Sequence, residues 1–200
     1  MNRLLDIATV HMGYTFRGSL KGTARSDIHI ARGDTRIIQM KDAWPDKIGD
    51  TEAFACAHIN HLPAHFPLRT GDLIFRARGK NTKTVLLEKT MPRTICNAPL
   101  MFIRVMSQQQ VLPAYLNWFI NLPRTQKALH AYATGDKIRM ISLETMTGLE
   151  VLVPTLAAQR HIVDEDSKVR QFMLEQATLL KQAQRNSDDY LWRHATIHLR

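Results

Sequence analysis

The sequence predicts a mixed α/β domain followed by a long C-terminal helix able to form a coiled coil. Three observations lead there. Short apolar or β-branched runs separated by turn residues fill the first half of the chain. Proline-opened segments with a helical apolar face follow from Pro113. From Thr155 to Arg185 there is neither Gly nor Pro, and Ala, Leu, Gln, Glu, Lys and Arg dominate, which is helix-forming composition. The expected organisation is a domain over residues 1–153, a helix over 154–186, and a tail over 187–200 to which no role is assigned.

The elements follow in order. Leu4 to Val10 is a short apolar segment ending at His11-Met12-Gly13. Residues 17–34, rich in Arg, Lys, Gly, Ser, Thr and Asp, predict a long polar loop. Arg36-Ile37-Ile38-Gln39-Met40 leaves it as a β-branched strand. Residues 42–67 carry Pro45, Pro63 and Pro67 and predict irregular structure. Leu68-Arg69-Thr70-Gly71-Asp72 is a turn before the strand Leu73-Ile74-Phe75, and Val85–Leu87 and Leu100–Val105 are further strands. Pro113 opens a helix whose face is Tyr115, Leu116, Phe119 and Ile120. Pro123 ends that helix and opens another, with Leu129 and Tyr132 on its face. Leu149 to Val153 is expected as a buried strand closed by Pro154.

In the last segment Ile162, Val169, Met173, Gln176, Leu180 and Ala183 take heptad seam positions, with Asp166 between them. Such a helix either packs on its own domain or projects. At roughly 45 Å it is longer than a domain of this size is wide, which favours projection.

Charge supplies the functional signal. The 200 residues carry 27 Lys and Arg against 18 Asp and Glu, a formal charge of +9. Residues 1–153 hold 20 against 12, whereas residues 154–200 hold 7 against 6, so the basic excess belongs to the domain. Lys and Arg on phosphates release condensed counterions, which points to a polyanionic partner. No apolar run approaches a membrane span. Asp6 interrupts the start before any signal-peptide core could form, and Cys56 and Cys96 alone make no disulfide framework. A cytoplasmic location is expected.

Catalytic motifs are absent. Gly79-Lys80-Asn81 lacks the phosphate-loop spacing, and there is no GxSxG, HExxH or CxxC. Asn97-Ala98-Pro99-Leu100 lacks the second proline and aromatic ring of an amino-methyltransferase loop, and no glycine-rich cofactor loop precedes it. Asp72 and Glu88 with Lys89 fail the spacing of nuclease carboxylates and are expected as surface charge. Cys56, His58, His61 and His65 could suggest zinc, but Pro63 falls inside the His61–His65 interval and breaks a two-His helical face. No cofactor and no metal are expected.

Several blocks in one order carry a resemblance. They are Leu4-x-x-Ile7-Ala8 with Gly13-Tyr14-Thr15-Phe16, Ile37-Ile38-Gln39-x-Lys41-Asp42, and Leu68-x-x-Gly71-Asp72-Leu73-Ile74-Phe75-x-x-Arg78-Gly79. Pro113-x-Tyr115-Leu116, Gly135-x-x-Ile138-x-x-Ile141-Ser142, and Leu149-x-Val151-x-Val153-Pro154-x-Leu156-x-x-Gln159-x-x-Ile162-Val163 complete them. Together, from about residue 4 to 185, the chain resembles one target-recognition domain and one spacer helix of the specificity subunit of a type I restriction–modification system. Complete subunits of that family carry two such units. Ala158 stands where the family commonly has Glu, so with Thr155 as N-cap the capping box is incomplete.

The resemblance implies a non-catalytic, sequence-specific DNA-binding component. It would direct a partner methyltransferase, clasped on the spacer helix, and a restriction subunit to their target. Arg suits guanine and Gln suits adenine in the major groove, which makes Gln39, Arg76 and Arg78 candidate base readers. Arg76 and Arg78 alternate along a strand, so both can face one side. Lys41, Lys80, Lys83, Lys137 and Arg139 are candidate phosphate contacts. Ile162, Val169, Met173 and Leu180 are the expected seam for a weak homodimer or a partner helix. Two alternatives stay open: the recognition part of a single-chain restriction–methylation enzyme, and a helix-mediated interaction or decoy module without specific DNA binding.

Overall fold

Two apolar runs organise the domain because they are buried on both faces. The computed structural model describes residues 1–16, 33–44, 47–59, 61–79, 82–135 and 139–197. Leu73-Ile74-Phe75 and Leu100-Met101-Phe102-Ile103 are all fully buried, the pattern of strands covered on both sides rather than on alternate residues. They form β7 (Leu73–Arg76) and β10 (Leu100–Val105). With β2 (Ala8–Met12) and β8 (Thr84–Leu86) they make a four-stranded antiparallel sheet in the order β2-β10-β7-β8.

On one face Ile74, Val85, Leu100 and Phe102 join Ile38, Phe54, Leu68 and Leu87 in the main core. Beyond the edge strand β8 lies α2 (Pro113–Asn121). Its Asn121 acts as a surrogate strand. The side-chain amide accepts the Thr84 N–H at 2.8 Å and donates to the Thr84 carbonyl at 2.9 Å. An otherwise open sheet edge is thereby closed by one residue.

A second, mixed sheet runs β6-β3-β9, with β3 (Thr35–Ile38) antiparallel to β6 (Ala55–Ala57) and parallel to β9 (Thr94–Cys96). Tyr14 bridges to Asn97 and links the two sheets. Gly13 is required at that crossing, since a Cβ there would lie 2.5 Å from the Asn97 carbonyl carbon. Two short strands, β4 (Ala43–Trp44) and β5 (Lys47–Ile48), pair as a hairpin between β3 and β6.

The chain differs from expectation in several places. Leu4–Ile7 is one helical turn, α1, between β1 (Asn2–Arg3) and β2. The Arg3 N–H donates to the Asp6 carboxylate at 3.0 Å, and Leu4 and Ile7 are buried three residues apart. β9 and α4 (Leu143–Thr147) were not marked by sequence pattern. The expected strand Leu149–Val153 shrinks to β11 (Glu150–Val151), with Leu152 44% exposed. It pairs only with the two residues of β1, and Pro154 has no N–H to extend a ladder. Of the polar loop expected over 17–34, residues 17–32 lie outside the described residues. The two expected central helices are present as α2 and α3 (Pro123–Ala131).

The chain divides into two units, Met1–Arg160 and His161–Arg200. The last helix, α5 (Leu156–Ile197), begins in the first and fills the described part of the second. It runs past residue 186 through the expected tail, because Asn186-Ser187-Asp188-Asp189 lower helix propensity without breaking it. In the first unit Gln159 is fully buried and completely used. Its Oε1 accepts the Leu112 N–H at 2.8 Å, and its Nε2 donates to the Gln110 and Pro154 carbonyls at 2.8 Å each. Thr155 Oγ1 accepts the Ala158 N–H at 3.4 Å.

Gln159→Leu removes three buried hydrogen bonds while keeping much of the volume. It is expected to cost about 2–3 kcal/mol in urea unfolding. A loss under about 0.5 kcal/mol would mean that water replaces the amide without penalty.

Candidate nucleic-acid interface

The candidate site is built at the end of the four-stranded sheet where β7 leaves and β8 enters. The Arg76 N–H donates to the Lys83 carbonyl at 3.3 Å, so the strands stay paired up to that turn. The chain from Ala77 to Gly79 then pairs with a distant segment. Ile141 N–H donates to the Ala77 carbonyl at 2.9 Å, Arg78 bridges Met140, and Gly79 N–H donates to the Arg139 carbonyl at 3.1 Å. Gly79 makes this turn at φ +104°, a region side chains rarely enter. Met140 in turn exchanges both backbone hydrogen bonds with Thr134, at 2.8 and 3.0 Å. A small three-segment ladder thus places Arg139 beside Arg78.

From the other side, Arg76 draws in the turn that follows β3. Its Nη1 donates to the Met40 and Ala43 carbonyls at 2.8 and 2.6 Å. That turn is closed by buried Asp42, whose carboxylate accepts the Gln39 N–H at 2.9 Å while its own N–H donates to the Gln39 carbonyl. The hydrogen-bonded turn ties Gln39 to Asp42 and leaves Lys41 exposed between them.

All six described candidates, Gln39, Lys41, Arg76, Arg78, Lys83 and Arg139, belong to these connected segments. Lys80 and Lys137 lie outside the described residues. Lys41, Arg78, Lys83 and Arg139 are exposed. Among the described residues none of the four has a carboxylate partner, whereas Arg93 pairs with Asp34 at 2.7 Å and Arg104 with Asp72 at 2.7 Å. Among the described residues the Arg139 side chain donates to the His130 carbonyl, at 3.3 Å.

The expectation that Arg76 and Arg78 present a matched pair is corrected. Arg76 is half-buried, spends Nη1 on two carbonyls, and lies 5.4 Å from the centre of the Trp44 ring. The strand ends at Arg76, and the chain then turns into the ladder, so only Arg78 is left exposed.

The expectation that Asp72 is surface charge is corrected too. It is 1% exposed and grips Arg104 through two 2.7 Å bonds, besides accepting the Arg69 N–H at 2.7 Å. That hydrogen-bonded carboxylate holds the Arg104 guanidinium above its ordinary pKa. The Gly71-Asp72 turn is therefore a structural lock.

The cysteines and histidines are dispersed. Burial pushes the Cys96 thiol up to about 12, which leaves it protonated and inert. His65 stacks on His11 with centroids 5.1 Å apart, and His58 lies 3.5 Å from Asp34. Among the described residues no group of three or more His, Cys, Asp or Glu can hold a metal. An open groove of about 910 Å³ lies between Phe119, Leu129, Tyr132 and Leu152. Its lining includes Arg124 together with Glu144 and Glu150, so both signs of charge border it.

Trp44 escaped the sequence reading. Its signal, a tryptophan before Pro45-Asp46 in a polar stretch, is visible only once its exposure is known.

The fold and this face define a mixed α/β domain with exposed cations where β7 leaves the sheet, followed by a single long helix. Among solved structures the chain is similar to the S subunit of a type I restriction–modification system from M. genitalium, at 12% identity and a TM-score of 0.57. That match covers 94% of this chain and 43% of the other. Similarity to the HsdS subunit from Thermoanaerobacter tengcongensis reaches a TM-score of 0.66 at 16% identity, covering 94% and 46%. A chain from a structure of the assembly and conformational transition of a type I R-M system gives 0.64 at 16%, covering 96% and 42%. No family model and no curated protein matches. The chain therefore has the fold of type I specificity subunits, over less than half the length of those chains. No described helix is long and apolar enough to cross a membrane.

Proposed function

We propose that this chain is a sequence-specific DNA-binding component of a type I restriction–modification system, itself without catalytic activity. It directs a methyltransferase subunit, and with it a restriction subunit, to the target. One observation carries the reading: within the fold of a specificity subunit, Lys41, Arg78, Lys83 and Arg139 are exposed on connected segments and have no carboxylate partner among the described residues. Such charges are free to meet phosphate and base edges. Arg78 and Gln39 are assigned to base edges, and Lys41, Lys83 and Arg139 to phosphates. Arg76 positions the Gln39–Trp44 segment.

The test separates the two kinds of contact. Arg78→Ala is expected to cost about 1–3 kcal/mol on a duplex selected from a random library and to relax one base position. Lys83→Ala should weaken selected and random duplexes alike and lower the salt slope by about one. Equal losses on both duplexes for Arg78→Ala would remove its base-reading assignment.

The second unit supplies assembly. Val169, Met173, Leu179 and Leu180 are each more than half exposed, as are Tyr190 and Leu191 further along. They recur at helical spacing, an apolar stripe left in water. A second copy packed antiparallel through Ile162, Val169, Met173 and Leu180 covers it, and a closed two-fold pair reads two identical half-sites. The selected target should then be an interrupted palindrome. Asp166, on the same seam and paired with Arg170, weakens the association. Met173→Glu or Leu180→Glu should lower dimer formation in concentration-dependent light scattering, with the domain still folded. A strict monomer with and without the methyltransferase, or an asymmetric selected site, would rule this pairing out.

A further inference from the structure

We propose that Trp44 is an aromatic contact to nucleic acid, presented by the β4–β5 hairpin to stack on a base step at the edge of the cationic face. The inference rests on the DNA-binding reading above and adds a contact of different chemistry to it.

Strand alternation sets the ring's direction. Ala43 is fully buried and Ile48, its cross-strand partner, packs on the main core, so the next residue, Trp44, turns to the opposite side. It is 49% exposed. The strand that carries it is anchored just before the ring. Gly49 N–H donates to the Asp42 carbonyl at 2.7 Å, and the Arg76 guanidinium ties down both the Met40 and Ala43 carbonyls. That guanidinium lies over the indole, 5.4 Å from its centre, so the ring is held on one side while about half of the residue stays exposed.

The surroundings select the partner. Between Leu5 and Met106, Trp44 is the one exposed large hydrophobic residue among those described. A protein-docking surface would need a contiguous apolar patch, and no other exposed large hydrophobic side chain lies on these described segments between Leu5 and Met106. The charge shown against its ring is cationic, the Arg76 guanidinium. Exposed Lys41 lies three positions before it, and β5 packs against β8, which Lys83 leads into. An aromatic plane among phosphate-binding charges fits stacking or wedging at a base step.

The test uses the full chain with Trp118→Phe and Trp192→Phe, which leaves Trp44 as the reporter. The probes are a duplex selected from a random library and an unselected duplex. Binding of the selected duplex should quench Trp44 emission. Trp44→Ala should weaken that binding about 10–100-fold, and Trp44→Phe should restore most of it. The slope of log K against log salt should not change, because no phosphate contact is lost. Binding without quenching, with Trp44→Ala equal to the parent, overturns the inference and leaves the DNA-binding reading intact. Loss of methyltransferase association by Trp44→Ala with DNA binding unaltered makes the ring a protein contact and overturns it equally. A parent chain that binds neither duplex at low salt removes the underlying reading itself. If Trp44→Ala fails to fold, quenching and the affinity of Trp44→Leu, which keeps bulk but no aromatic plane and should bind about as weakly as expected for the alanine variant, still decide.

Discussion

Arg104→Met is expected to destabilise the domain by about 3–5 kcal/mol. The reason is the carboxylate it leaves behind. Asp72 is 1% exposed, and two of its three side-chain hydrogen bonds come from Arg104. The same guanidinium donates to the Pro67 carbonyl at 3.0 Å, fastening the loop before β7 to β10. Without it a buried charge keeps a single backbone donor. The double variant Asp72→Leu with Arg104→Met should recover much of the loss, since removing both charges removes the desolvation cost as well. Urea unfolding of the three variants measures this. A single-variant loss below about 1 kcal/mol would show that water reaches the carboxylate and that the pair is not a lock.

Affinity for duplex DNA is expected to fall several-hundred-fold between 50 and 200 mM salt, for about five phosphate contacts. On the proposed reading Lys41, Lys83 and Arg139 would supply three of these in the described residues, and Lys80 and Lys137 extend the same basic segments in sequence. Each contact releases condensed counterions, so log K should fall linearly with log salt. Residues 1–153 should retain the effect, because the basic excess resides there. Fluorescence anisotropy on a labelled duplex across the salt range measures it. A flat response, or binding that maps to residues 154–200, would contradict the assignment of this face.

Much of the fold was legible because it rests on local pattern. The apolar runs of β7 and β10, the proline starts of α2 and α3, and the Gly- and Pro-free stretch of α5 each report their own conformation. Shorter elements were not. β9 has only Thr94-Ile95-Cys96 and exists because β3 lies alongside it. α4 is a single capped turn, with Thr145 N–H on Ser142 Oγ at 3.0 Å, whose cap signal is weak beside the turn residues around it.

The candidate site divides the same way. By itself the sequence determined the class of the domain, the helix that follows it, where the basic excess lies, and which residue types could meet DNA. Those are properties of composition and short-range periodicity. Only the tertiary structure decided what each charge does. Arg76 and Arg78 are equivalent in sequence, yet one is spent on carbonyls more than thirty residues away and the other is exposed. Asp72 looks like surface charge until Arg104 arrives from β10, and Arg139 joins Arg78 only through the backbone ladder of Gly79 and Ile141. Pairing across such separations is set by strand register and burial, and neither is written in any local stretch of the chain.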